Sequence, residues 1–135
     1  MFGSSRSIQA TLLGALLLIN GLFMLAAPEA WYHAVPTVPD TGPFNPHFVR
    51  DIGCAYGAGA IALLWLAREP RAWPAALAGS LFFVLHALTH VWDFAAGREQ
   101  AAHFGIDAVL VLIPAAWGLW LSWPRRGFSA AALPG

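Results

Sequence analysis

Four long apolar stretches dominate the sequence and limit what it can fold into. They cover about residues 8–27, 46–67, 74–95 and 102–123. A helix needs about 20 mostly apolar residues to cross the hydrocarbon core of a bilayer, and each stretch reaches that length. Of the 135 residues, 59% are hydrophobic and only 10% are charged, whereas a soluble domain is about 25% charged. The sequence therefore predicts one all-α domain, an integral membrane four-helix bundle spanning residues 1–135.

The placement of arginine predicts the orientation of the bundle. Five of the seven basic residues, all of them arginine, lie on the side shared by the two termini and the connection between the second and third stretches: Arg6, Arg68, Arg71, Arg125 and Arg126. Because basic residues are retained on the cytoplasmic side, both termini are predicted to be cytoplasmic. The proline-rich segment 28–45 is then an outer loop above the bundle.

The first stretch has a second interpretation as a cleaved signal peptide. Arg6 precedes the apolar run, and the small residues Ala26 and Ala27 follow it. The run is longer than the apolar core of an ordinary signal peptide, so we expect residues 1–27 to contain a retained helix. Membrane lipids are the expected partners, and self-association remains open. Zero net charge without a basic patch argues against nucleic-acid binding.

Local signals predict where helices begin and where they approach each other. Asn45 before Pro46 is typical of a capped helix start. The Gly53-x-x-x-Gly57 pair, with Gly59 and Ala60 nearby, predicts a close helix–helix contact. Pro114 predicts a kink in the fourth helix.

Histidine and aspartate recur at helical spacing near three of the predicted helix ends. The motifs are His47-x-x-x-Asp51, His86-x-x-x-His90-x-x-Asp93 and His103-x-x-x-Asp107. Residues separated by three, four or seven positions share one face of a helix. The predicted topology puts all three motifs at the outer membrane surface. Polar groups in so apolar a chain need partners, and such groups commonly mark a functional site.

A metal ion is the partner that best suits this set of side chains. Imidazole and carboxylate ligands favour zinc, iron or copper(II), and facing helices of a bundle can supply them together. The predicted ligands, or residues that orient ligands, for one or two Fe, Cu or Zn ions are His47, Asp51, His86, His90, Asp93, His103 and Asp107. If the protein is an enzyme, metal-assisted oxidation or hydrolysis of a small or lipid-soluble substrate is expected.

Several alternatives remain open at this point. The same residues are compatible with a metal carrier or sensor, and with a structural or assembly subunit whose histidines and aspartates form only local hydrogen bonds. A proton pathway would need ionisable groups in the inner half of the bundle, which the sequence lacks. A heme site would leave the aspartates unexplained. Cys54 is a packing residue, a soft ligand or a redox thiol, and Arg50 either neutralises an aspartate of the cluster or holds an anionic substrate.

The segment Asn45-Pro46-His47-Phe48-Val49-Arg50-Asp51-Ile52-Gly53, with a histidine pair late in the third helix, resembles small bacterial membrane proteins of the DoxX-like kind. This resemblance implies a four-helix bundle in a bacterial inner membrane. It transfers no catalytic role to any residue of this chain.

Overall fold

The computed structural model describes residues 4–98 and 101–124, which are almost entirely helical. The helices are α1 (Ser4–Ala26), α2 (Pro28–Ala34), α3 (Pro46–Arg68), α4 (Trp73–Ala95), α5 (Ala101–Asp107) and α6 (Ile113–Ser122). Short 3₁₀ turns occupy Val38–Asp40 and Pro70–Ala72. Four helical spans are long and apolar enough to cross a membrane, which confirms the prediction of an all-α chain with four such helices.

The fourth span contains a feature that the sequence analysis did not predict. A π-helical segment, Ala108–Leu112, joins α5 directly to α6, and the Ile113 N–H donates to the carbonyl of Ala108. Pro114 has no N–H for the carbonyl four residues before it, so the regular hydrogen-bonding pattern must break here. The wider π-helical turn accommodates the proline within the helical span, and this turn begins immediately after Asp107.

The segment 28–45, predicted to be a loop, is partly helical. Its first seven residues form α2, which begins at Pro28, where a missing N–H leaves no hydrogen bond unmade. The indole of Trp31 donates to the side-chain oxygen of Asn20 at 2.9 Å and so fastens α2 to α1. Arg125 and Arg126, which contribute to the predicted orientation, lie outside the described residues.

Glycines set the spacing of the helices. A Cβ on Gly21 of α1 would lie 2.9 Å from the carbonyl oxygen of Gly53 in α3, and a Cβ on Gly79 of α4 would lie 2.8 Å from the Cα of Gly59 in α3. Gly53 thus makes the predicted close contact, whereas a Cβ on Gly57 would meet nothing within 4 Å. Such backbone contacts provide the packing that associates helices in a bilayer.

The two ends of the bundle carry different polar groups. At one end, called the histidine end below, α1 and α4 finish while α3 and α5 begin. At the opposite end, the fully buried hydroxyls of Ser80 and Ser122 are 2.9 Å apart. The Arg6 guanidinium there donates to the carbonyl of Trp120. Between the ends, many large apolar side chains point outward, including Leu16, Ile19, Leu85 and Ile113, which suits a lipid environment better than water.

Candidate functional site

A buried histidine–aspartate pair lies at the histidine end. The Nδ1 atom of His90 in α4 is 2.6 Å from Oδ2 of Asp107 at the end of α5. Only 20% of the His90 side chain and 4% of the Asp107 side chain are exposed. A carboxylate in such surroundings needs a hydrogen-bonded or charged partner, and His90 supplies one across the helix interface. The bond uses Nδ1, so Nε2 of His90 remains available to another group.

His86 lies one helical turn before His90 and extends this site towards the middle of the bundle. The two rings meet edge to face with centroids 4.9 Å apart. On its other sides His86 is parallel to Phe82 at 6.1 Å and edge-on to Tyr56 at 6.3 Å. Within residues 4–98 and 101–124 its ring makes these aromatic contacts but no hydrogen bond. The His86 ring can therefore turn its nitrogens towards a ligand without breaking a hydrogen bond.

Residues 35–45, called the strap below, cover the pair from the outside. The hydroxyl of Thr37 is 3.4 Å from Oδ1 of Asp107. Oδ2 of Asp40 is 3.7 Å from Nε2 of His103 in α5. Both contacts are long, so the strap rests on the site more loosely than His90 does. Thr37 also has a φ of 73°, a backbone conformation that β-branched residues rarely adopt.

The other predicted site residues have separate partners. His47 and Asp51 pair within α3 at 3.5 Å, with 87% and 61% of their side chains exposed. Asp93 pairs with Arg98 at 2.7 Å in the turn after α4. His103 faces the strap rather than His90. Of the seven predicted residues, the structure thus brings His86, His90 and Asp107 into one cluster. It places His47, Asp51 and Asp93 in local pairs, and His103 beside Asp40 of the strap.

Three contributors to this region were missed by the sequence analysis. Thr37 and Asp40 lie in a segment without periodicity, and only the fold brings them to Asp107 and His103. Tyr56 was hidden because an aromatic residue inside an apolar helix is ordinarily part of the packing. Its position, nine residues after His47, lies half a helical turn from the predicted polar stripe, so spacing gave no signal for it.

The cluster is not a preformed ligand set. Across the described ranges, no three His, Cys, Asp or Glu side chains form a group that could hold a metal ion as they stand. The available donors are Nε2 of His90 and the two ring nitrogens of His86, with Asp107 already bound to His90. This arrangement can bind a ligand through imidazole nitrogen, or accept a proton at Nε2.

Comparison with known proteins adds no assignment. No family model matches the sequence, and no curated protein or solved structure is significantly similar to it. The resemblance to DoxX-like proteins therefore stays a prediction.

Strain at Thr37 leads to a first prediction. Because the left-handed conformation costs a β-branched residue about 1–2 kcal/mol and its hydrogen bond is long, we expect Thr37→Gly to raise stability by about 1 kcal/mol. Thr41 in the same strap has an ordinary φ of −81°, so Thr41→Gly should instead lower stability by about 0.5–1 kcal/mol. Denaturation midpoints in mixed detergent compare the two, and a loss in both variants would show that Thr37 is not strained.

Proposed function

We propose that the protein is a membrane-embedded metal-binding protein whose ion is held by imidazole nitrogens of His86 and His90. The observation that carries this proposal is the 2.6 Å bond between Nδ1 of His90 and the buried carboxylate of Asp107. Histidines that ligate metals almost always give their second ring nitrogen to such an acceptor, which fixes the tautomer and orients the free nitrogen. Asp107 is thus the orienting residue in this proposal, and Nε2 of His90 is the ligand atom.

The spacing of the two histidines supports the same assignment. His86 and His90 are separated by four positions on α4, the spacing at which two histidines on one helical face bind a single zinc ion in metalloproteases. Turning the His86 ring breaks no hydrogen bond among the described residues. Two imidazoles leave coordination positions for water, for a further protein ligand or for a small or lipid-soluble substrate, so oxidation and hydrolysis both remain in the proposal.

The donor chemistry narrows the ion to Fe, Cu or Zn, because neutral imidazole suits these metals and the hard cations prefer oxygen ligands. In the proposed orientation the site faces the extracytoplasmic side of a bacterial inner membrane. The exposed pair of His47 and Asp51 is not needed for this narrower site.

Metal content tests the proposal directly. Protein purified in detergent from cultures supplemented with iron, copper and zinc should contain about one metal ion per chain. We expect the double variant His86→Ala/His90→Ala to lose it. The matched control is His47→Ala, because His47 is also a helical histidine at this end but its side chain is 87% exposed. Metal at background in the wild-type protein, or equal loss in the His47 variant, would overturn the proposal.

A second candidate function is acid–base chemistry without a metal. It rests on the 2.6 Å contact between Nδ1 of His90 and the buried carboxylate of Asp107. A carboxylate that holds Nδ1 of a histidine leaves Nε2 placed to accept a proton, as in the catalytic triads of hydrolases. This candidate predicts that the purified protein lacks metal. It also predicts that a bound substrate slows the reaction of His90 with a histidine-selective reagent.

A further inference from the structure

A separate pocket, largely open to the surroundings, lies at the histidine end, in the corner between the α1–α2 junction and the start of α3. Its volume is about 560 Å³. Its lining includes one residue of the strap, Phe44, and none of the histidine cluster: Ala27, Pro28, Glu29, Ala30, Phe44, Pro46 and Arg50. A ligand in this pocket would therefore contact residues other than His86, His90 and Asp107.

The position of the pocket relative to the apolar spans places it at the level of lipid headgroups. The first span ends at Ala26 and the next begins at Pro46. The pocket is lined by residues just after the first limit and by others that flank the second, from Phe44 before it to Arg50 in the first turns of the span. The boundary between hydrocarbon and water is where phosphate and amine groups of phospholipids lie.

The pocket contains one charge of each sign, and the two charges do not neutralise each other. Within the described part of the chain, the Glu29 carboxylate has no ion pair or hydrogen bond. The Nε atom of Arg50 donates to the carbonyl of Leu25 at 3.4 Å, which leaves its terminal guanidinium nitrogens for another acceptor. Guanidinium is well suited to phosphate because its planar fork can donate two parallel hydrogen bonds.

The remaining lining is apolar and includes one aromatic ring. Phe44 contributes to the wall and packs against Tyr32 with ring centroids 5.2 Å apart. An aromatic face attracts a cation, including an ammonium group. The pocket thus offers a donor for a phosphate, a carboxylate and an aromatic ring for an ammonium, and apolar contacts from alanine and proline.

We propose that this pocket binds the headgroup of a zwitterionic glycerophospholipid. The lipid phosphate contacts Arg50, the ammonium group contacts Glu29 and Phe44, and the acyl chains follow the outward-facing apolar surface. Glu29 is the residue that decides between lipid classes, because its carboxylate repels a headgroup that carries only negative charge. A purely anionic lipid would be attracted by the charge of Arg50 and repelled by that of Glu29.

Native mass spectrometry of the full chain tests this inference. Delipidated protein is offered equimolar phosphatidylethanolamine, phosphatidylcholine and phosphatidylglycerol. We expect the two zwitterionic lipids to be retained about tenfold over phosphatidylglycerol, a difference of about 1.4 kcal/mol. Glu29→Gln should remove or reverse this preference, and Arg50→Gln should weaken binding of all three lipids. Addition of inorganic phosphate should displace none of them, which distinguishes a lipid site from a free-anion site.

Matched controls come from other charged residues of the same types. Arg98→Gln removes an exposed arginine at the same end, and Glu69→Gln removes a carboxylate that caps a turn at the opposite end. Both should leave lipid selectivity unchanged. Equal retention of the three lipids by the wild-type protein, or an effect of Arg98→Gln as large as that of Arg50→Gln, would overturn the inference. So would displacement by inorganic phosphate.

Discussion

Replacing Asp107 with alanine is expected to weaken metal binding by about 10- to 100-fold, the range found for residues that orient a ligand histidine. The carboxylate accepts from Nδ1 of His90 at 2.6 Å, and no other described side chain bonds that nitrogen. Without Asp107, the imidazole can rotate and its tautomer is no longer fixed, so Nε2 is presented to the ion only part of the time. Titration of the metal-free protein with zinc measures the change in affinity.

The same substitution should also destabilise the fold, by about 1–3 kcal/mol, because it leaves a largely buried ring nitrogen unsatisfied. A double variant separates this effect from a general loss of packing. Replacing both partners, Asp107→Leu with His90→Leu, removes the unsatisfied group, and such apolar replacements of buried pairs are often neutral or stabilising. We therefore expect the double variant to recover most of the lost stability while binding no metal.

Asp107→Asn is the informative intermediate. Its amide oxygen can still accept from Nδ1–H of His90, so orientation is retained while the negative charge is lost. Metal affinity should fall less than in Asp107→Ala. If Asp107→Ala and the double variant were equally unstable, the pair would contribute by packing alone. If Asp107→Ala bound zinc like the wild-type protein, the orienting role of Asp107 would be wrong.

Both His90 and Asp107 could be identified from the sequence as candidate site residues, but the contact between them could not. Helical spacing placed His90 and Asp107 on polar stripes and at the same end of the bundle, because consecutive membrane helices run in opposite directions. Which carboxylate meets which imidazole depends on the rotation of α5 about its axis. That rotation is coupled to the π-helical segment Ala108–Leu112, and no simple periodicity shows such a turn.

The other motif residues illustrate how a nearby partner competes with a distant one. Asp93 shares the stripe of His86 and His90, yet it lies in the last turn of α4, where the chain folds back. The backbone N–H of Arg98 donates to the Asp93 carbonyl at 2.9 Å, and the Arg98 guanidinium donates to the Asp93 carboxylate at 2.7 Å. His47 and Asp51 similarly pair within one helix. Spacing alone predicts a shared face, and it does not distinguish a local pair from a converging site.

Helix packing was also predicted only in part. A contact that the sequence did not reveal leads to the second prediction with a large expected effect. The sequence pointed to Gly53 and Gly57, with Gly59 nearby, whereas it did not point to Gly79, whose backbone meets that of Gly59 where α4 packs against α3. The two glycines of this contact are twenty positions apart and lie on different helices. No spacing rule within one helix can join them.

Gly79→Val is expected to destabilise the bundle by about 3 kcal/mol, at the upper end of the usual range for overpacking. A Cβ at this position would lie 2.8 Å from the Cα of Gly59. The neighbour is backbone, which cannot turn away as a side chain can, so α3 and α4 must separate. Their separation also disturbs the contact of Phe83 with Gly59, where a Cβ on Gly59 would lie 2.6 Å from the ring.

Gly57→Val is the matched control for this prediction. It makes the same chemical change in the same kind of helix, so changes in helix propensity and backbone entropy largely cancel between the two variants. A Cβ on Gly57 would meet nothing within 4 Å, and we expect its effect to stay within about 0.5 kcal/mol. Unfolding by sodium dodecyl sulfate in mixed micelles, followed by circular dichroism, measures both. Equal midpoints would show that α3 and α4 do not cross at Gly59 and Gly79. A large loss confined to Gly79→Val would establish this crossing as the contact that holds α4, and with it His86 and His90, against α3.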